Sequence, residues 1–114
     1  MTQISFKELM EHGKELIESN ASNMHAETLS AFHNMNSEQK IVTYILAGQT
    51  LLCCAEQDKC RMTDRENVLP PKKTINDVIA TMTEKQEHSL HYIIGWILSH
   101  YEQVKGENDG RNDC

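Results

Sequence analysis

The stretch MNSEQKIVTYILAGQTLLCCAE, Met35–Glu56, decides how the chain folds. Asn36 stands at an N-cap position and Gln39 follows three residues later, the arrangement that closes a capping box on the first unpaired N–H groups of a helix. Beyond it the residues are apolar nearly all the way round. Ile41, Tyr44, Ile45, Gly48, Leu51, Leu52 and Ala55 make one face, and Val42, Leu46 and Cys53 a second. A helix apolar on several sides is one that other elements pack around, so this segment is expected to be the central helix of a small bundle.

A second stretch echoes it 47 residues on. MTEKQEHSLHYIIGWIL, Met82–Leu98, repeats the methionine, places Thr83 where Asn36 was and Gln86 where Gln39 was, and carries Gly95 where Gly48 was. The apolar stripe Leu90, Ile93, Ile94, Ile97, Leu98 and Tyr101 is rotated relative to Gly95, whereas Gly48 lies in the middle of its own main face. A structural repeat and a convergent pair of helix starts both remain open on this pattern.

Around these two segments the helix grammar continues. Ser5-Phe-Lys-Glu opens a first helix, with Ile4 placed to staple onto Leu9, and Phe6, Leu9, Met10, Gly13, Leu16 and Ile17 form its buried face up to Ser19–Asn20. A shorter helix from about Ser22 to His33 is anchored by Met24, Leu29 and Phe32. Thr74-Ile-Asn-Asp starts another, with Ile75, Val78, Ile79 and Met82 on one side. A short helix leading into a longer capped one thus occurs twice. The fold class expected is all-α: about five helices, arranged as one extra helix followed by two helical hairpins, in a single domain over residues 1–104.

Gln57–Lys73 reads as a loop because it is charged and carries the Pro70–Pro71 pair, which turns Leu69 towards extended backbone. Residues 105–114 are polar and are expected to be a disordered tail.

Composition narrows the function. The chain has 114 residues, a formal charge of −6, 39% hydrophobic and 25% charged residues, which suits one modest soluble core. An acidic chain argues against binding a nucleic-acid backbone, and its one locally basic stretch, Lys59–Lys73, reads as a solvated loop. No uncharged apolar run spans a membrane, and the N-terminus has no basic-then-apolar leader. Cys53, Cys54, Cys60 and Cys114 then read as reduced thiols, and a cytoplasmic location is expected.

The residues offer four kinds of candidate site. His88 and His91 share a helix face with Glu84 and Glu87 a turn earlier, yet no closely spaced Cys/His couples accompany them, so no metal and no cofactor is expected. Cys53 or Cys60 with a histidine could form a nucleophilic dyad, but nothing in the spacing places them together, and Cys53 and Cys54 on an apolar helix behave as small core residues. The expectation is that the protein is not an enzyme. The last helix offers more: Tyr92 and Trp96 lie one turn apart opposite the core stripe, with His88, Ser99 and Gln103 beside them. Aromatic anchors on an outer face suit a partner surface, and the alternative is a second core face; Tyr92, Trp96, His88 and Gln103 are taken as the partner-binding set. Gly48 and Gly95 are taken as points where the third and fifth helices approach closely.

The two capped segments also resemble a short helical segment of tailed-bacteriophage head-morphogenesis proteins, such as the C-terminal part of prohead proteases and scaffold-like proteins. Met35, Ser37, Gln39, Lys40, Tyr44 and Gly48 carry the likeness in one copy, and Met82, Thr83, Gln86, Tyr92 and Gly95 in the other. The likeness covers about a third of the chain and brings no catalytic residue with it. It implies a phage-encoded, non-enzymatic protein–protein interaction module, an accessory factor in head assembly that binds a phage structural protein, a host factor or a second copy of itself. Its acidity leaves a second reading, a small inhibitor of a host nuclease or defence complex. A metal-binding helical protein is a third.

Overall fold

The computed structural model describes the backbone of residues 2–51, 60–63, 73–100 and 102–103, and the side chains of these except at 2–4, 6 and 60–63. The chain is an all-α bundle. Its elements are strand β1 (Thr2–Ser5), helix α1 (Phe6–Asn20), a 3₁₀ turn (Ala21–Asn23), α2 (Ala26–His33), α3 (Ser37–Gln49), strand β2 (Cys60–Thr63), α4 (Ile75–Ile79) and α5 (Glu84–Ser99). Four of the five helices start where expected, whereas the second begins at Ala26 after a 3₁₀ turn rather than near Ser22. The side chains of Ser5, Asn36, Thr74 and Thr83 each accept the backbone N–H three residues on. At Asn36, Thr74 and Thr83 the third helical side chain bonds back and completes the box. At Ser5 the box is half made, and its hydroxyl lies 3.4 Å from the Glu8 carboxylate instead.

Helix α3 is the centre of the bundle, packed on α1, α4 and α5. Val42, Ile45, Ala47, Gly48 and Leu51 are all buried on its different sides, and the winding loosens to a π turn at Thr50–Leu51. Thr50, whose hydroxyl donates to the Leu46 carbonyl at 2.7 Å, sits at that loosening. Leu46 is only half-buried, so the expected second apolar face is narrower than Val42, Leu46 and Cys53 together imply. Cys53, Cys54, Leu52, Ala55, Tyr101, the Pro70–Pro71 pair and the expected tail at 105–114 lie outside the described residues.

Two corrections concern architecture. The expected loop at 57–73 contains a strand: Thr2–Ser5 and Cys60–Thr63 pair in parallel, Thr2 opposite Cys60 and Ser5 opposite Thr63. Strands of four residues are too short for alternation to be legible. The expected hairpins also do not close on themselves. The short helix of each unit packs on the long helix of the other, α2 on α5 and α4 on α3, so the units interlock.

The glycines show where helices touch. Helices α1 and α3 run antiparallel, with Leu9 against Gly48 and Gly13 against Tyr44. A Cβ at Gly13 would drive into the Tyr44 carbonyl, and one at Gly48 into the Leu9 carbonyl. Gly48 therefore does mark a close backbone approach, but to α1 rather than to the fifth helix. At Gly95 an added Cβ meets nothing within 4 Å among the described residues, so its assignment as a contact with the third helix is not met there.

Candidate interaction site

The contacts between the two units recur at the 47-residue offset that relates their sequences. Gln39, after closing its own capping box, donates from Nε2 to the Thr81 hydroxyl at 3.1 Å and to the Thr81 carbonyl at 3.3 Å. Gln86, the residue at the equivalent place, closes its own box and donates to the Asn34 carbonyl at 3.5 Å. Asn34 and Thr81 are themselves equivalent. A deeper pair follows the same rule. Buried Ser89 donates to the Thr28 carbonyl at 2.7 Å. Their counterparts Val42 and Ile75 make the same junction of long and short helix with apolar side chains, in a cluster with Val78, Ile41, Leu46 and Ile79. One junction is sealed by a hydrogen bond and the other by aliphatic packing.

Burial departs from this symmetry in one region. Ile45, Ala47, Gly48 and Leu51 are buried on α3, while their counterparts Tyr92 and Ile94 are half-buried and Gly95 and Leu98 exposed. Leu51 is 4% exposed and Leu98 53%. The difference is α1, which covers the α3 face and has no counterpart on α5 among the described elements.

The partner-binding set divides accordingly. Trp96 is buried, 9% exposed, in a core cluster with Leu16, Ile17, Met24, Phe32, Ile93 and Ile97. His100 stacks on its indole at 4.2 Å and bonds the Trp96 carbonyl through Nδ1 at 2.9 Å. Tyr92 is half-buried against the same cluster, and its hydroxyl accepts the His25 N–H at 2.9 Å, at the residue that caps α2. Both aromatics face inward because α2 lies along the flank of α5 that a single stripe would leave to solvent. That places them in the alternative, a second core face. His88 and Gln103 are exposed, while of the two aromatics they were grouped with Trp96 is buried and Tyr92 half-buried.

His88 instead lines an open groove of about 870 Å³ between α2 and α5, with His25, Thr28, Asn34, Glu84 and Lys85. The equivalent junction between α4 and α3 is bridged by the Lys73–Glu38 ion pair at 2.6 Å. The residues at the matching positions are Ala26 and Lys85, which cannot repeat that pair, so this side stays open. Among the described residues no group of three or more His, Cys, Asp and Glu side chains is placed to hold a metal ion, and His88 and His91 do not gather ligands around them. Every fully buried side-chain N or O among the described residues has a hydrogen-bond partner. No described helix is long and apolar enough to cross a membrane.

Two groups have shifted titration. Burial, with Glu18 nearby, holds the Tyr44 phenol above its usual value. The Thr74 N–H, followed by the Thr74 hydroxyl and the charge of Lys73, holds Asp77 below the usual carboxylate range. The first belongs to packing under α1 and the second to a helix cap. No protein-family model, no curated protein and no solved structure matches this chain.

Proposed function

We propose that the protein is a non-enzymatic interaction module, phage-encoded, acting as an accessory factor in head assembly. One observation supports this reading above the others: the capped segment that resembles head-morphogenesis proteins is the element through which one helix–turn–helix unit grips another. Gln39 and Gln86 do this reciprocally, each holding its own cap through Oε1 while Nε2 reaches the turn of the other unit. A partner carrying the same Met-Asn/Thr-x-x-Gln start presents the same turn carbonyl and the same glutamine, and so the same means of attachment. The acidic character of the chain suits a protein partner rather than packaged nucleic acid.

The test is affinity purification of the tagged chain from infected cells, with mass spectrometry of what co-purifies. Enrichment of portal, capsid, scaffold or prohead protease is the expected result. Enrichment of a host nuclease or defence subunit, with no head protein, would overturn the head-assembly reading and favour the inhibitor.

A further inference from the structure

We infer that the surface between the two units is selective as well as reciprocal. Charge and polarity on the long helices let α4 dock on α3 and not on a copy of α5, so the surface fits an unlike helix–turn–helix unit and excludes a copy of itself. The inference concerns the pairing alone and holds whichever assembly the protein serves. The geometry is its starting point. The offset that carries Gln39 to Gln86 exchanges α2 with α4 and α3 with α5, and the contacts follow. Helix α2 lies on α5 as α4 lies on α3, and Gln86 reaches Asn34 as Gln39 reaches Thr81. That is a two-fold relation, in which each unit presents the same kind of surface to the other. By backbone alone such a surface also fits its own copy. The side chains at the junctions prevent it.

On α3 the junction with α4 is apolar within and ionic at its rim. Ile41 and Val42 pack with Ile75, Val78 and Ile79, and the Lys73 ammonium reaches the Glu38 carboxylate at 2.6 Å. The same places on α5 hold other chemistry: Lys85 for Glu38, His88 for Ile41 and Ser89 for Val42. An α4 laid on α5 in this manner would set Lys73 against Lys85 and its aliphatic side chains on an imidazole and a hydroxyl. In a pair of α4–α5 units both faults occur twice, once on each side of the axis. A pair of α2–α3 units loses its attachments instead. Ala26 stands in the place of Lys73 and leaves Glu38 without its cation, and Val42 has no hydroxyl to give the Thr28 carbonyl, as Ser89 does in the chain. Of the three pairings, the unlike one alone matches polar with polar at Ser89–Thr28, apolar with apolar at Val42–Ile75, and opposite charges at Glu38–Lys73. Specificity is a difference between pairings, and the repulsive arrangement contributes to it as the attractive one does.

Giving α3 the face of α5, within the full chain, tests this. Glu38→Lys sets a lysine opposite Lys73 at a half-buried position, so the fold survives while α4 loosens. The Val78 and Ala80 amides, which donate to the Thr74 and Asn76 carbonyls, should exchange with deuterium about two- to fivefold faster. The effect should shrink in high salt, exceed that of Glu38→Gln, and vanish when Lys73→Glu is added. Adding Ile41→His and Val42→Ser to Glu38→Lys should speed exchange at the same two amides at least about tenfold. A Glu38→Gln variant that loosens α4 as much as Glu38→Lys would overturn the inference, since the sign of the charge would then not matter. So would a Glu38→Lys, Lys73→Glu chain that stays loose, or a triple variant in which α4 keeps its wild-type protection.

Discussion

Gln39 and Thr81 meet across the two halves of the bundle, the Gln39 amide donating to both the hydroxyl and the carbonyl of Thr81 at 3.1 and 3.3 Å. Gln39 is 4% exposed, whereas its counterpart Gln86 is half-buried and makes one longer bond. The two are equivalent in role and unequal in burial. Gln39→Ala should therefore cost about 1–3 kcal/mol, because it leaves the Asn36 cap N–H and the Thr81 groups, all in part-buried bonds, with fewer partners. Gln86→Ala should cost less, about 0.5–1 kcal/mol. Chemical denaturation of the two variants checks the order, and equal losses would mean that the caps matter and the cross-unit bonds do not.

The three helical glycines should respond in opposite directions. Gly48→Ala and Gly13→Ala push a Cβ into backbone that side-chain rotation cannot relieve, so each should destabilise by about 2–3 kcal/mol or more. Gly95→Ala meets open space and should raise the stability of the dilute monomer by about 0.5–1 kcal/mol. Thermal melts at low micromolar concentration give all three. A destabilised Gly95→Ala would show that the α5 face is covered within the chain.

Trp96 is a core residue, and its substitution should read out as stability. Trp96→Ala should cost about 3–5 kcal/mol, and the wild-type emission should stay blue-shifted at dilutions where the chain is a monomer. Red-shifted emission in the native monomer would return Trp96 to the surface.

On the central helix, Ile45 is fully buried and Leu46 half-buried. Ile45→Ala should cost about 2–5 kcal/mol and Leu46→Ala distinctly less. Comparable losses would restore the wider second face that the apolar pattern suggests.

Asp77 gives the fold a pH dependence of definite sign. Its folded pKa is lowered, first by the Thr74 N–H, so its contribution is present above the ordinary carboxylate value near 4 and is lost as pH falls through the lowered value. Asp77→Asn keeps an acceptor oxygen and removes the titration. Its melting temperature should lie below wild type at about pH 6 and converge on it by about pH 2–3. A gap that stays constant over this range would mean that the cap does not depend on charge.

Much of this fold is written in local chemistry. Ser5, Asn36, Thr74 and Thr83 were each readable as caps because capping involves only a side chain and the backbone three residues away. The same locality explains the misreadings. A helical wheel shows that Trp96 lies off the main stripe of α5, but which helix comes to cover that flank depends on how α2 is delivered by the turn at Asn34. Gly48 signals a close approach without naming the neighbour, and the nearer neighbour proved to be α1. The four-residue strands depend on a parallel pairing between segments nearly sixty residues apart, beyond any local pattern. The groove beside His88 is open because Ala26 and Lys85 cannot make the pair that Lys73 and Glu38 make, and that comparison needs the offset to be seen in three dimensions.

The seam between α1 and α3 has a consequence for how the chain can vary. Gly13 makes room for the Tyr44 carbonyl and Gly48 for the Leu9 carbonyl, so each helix supplies the clearance that the other's backbone needs. The two glycines are thus one constraint written at two places in the chain. What each abuts is backbone, so no exchange of side chains elsewhere along the seam relieves a Cβ added at either.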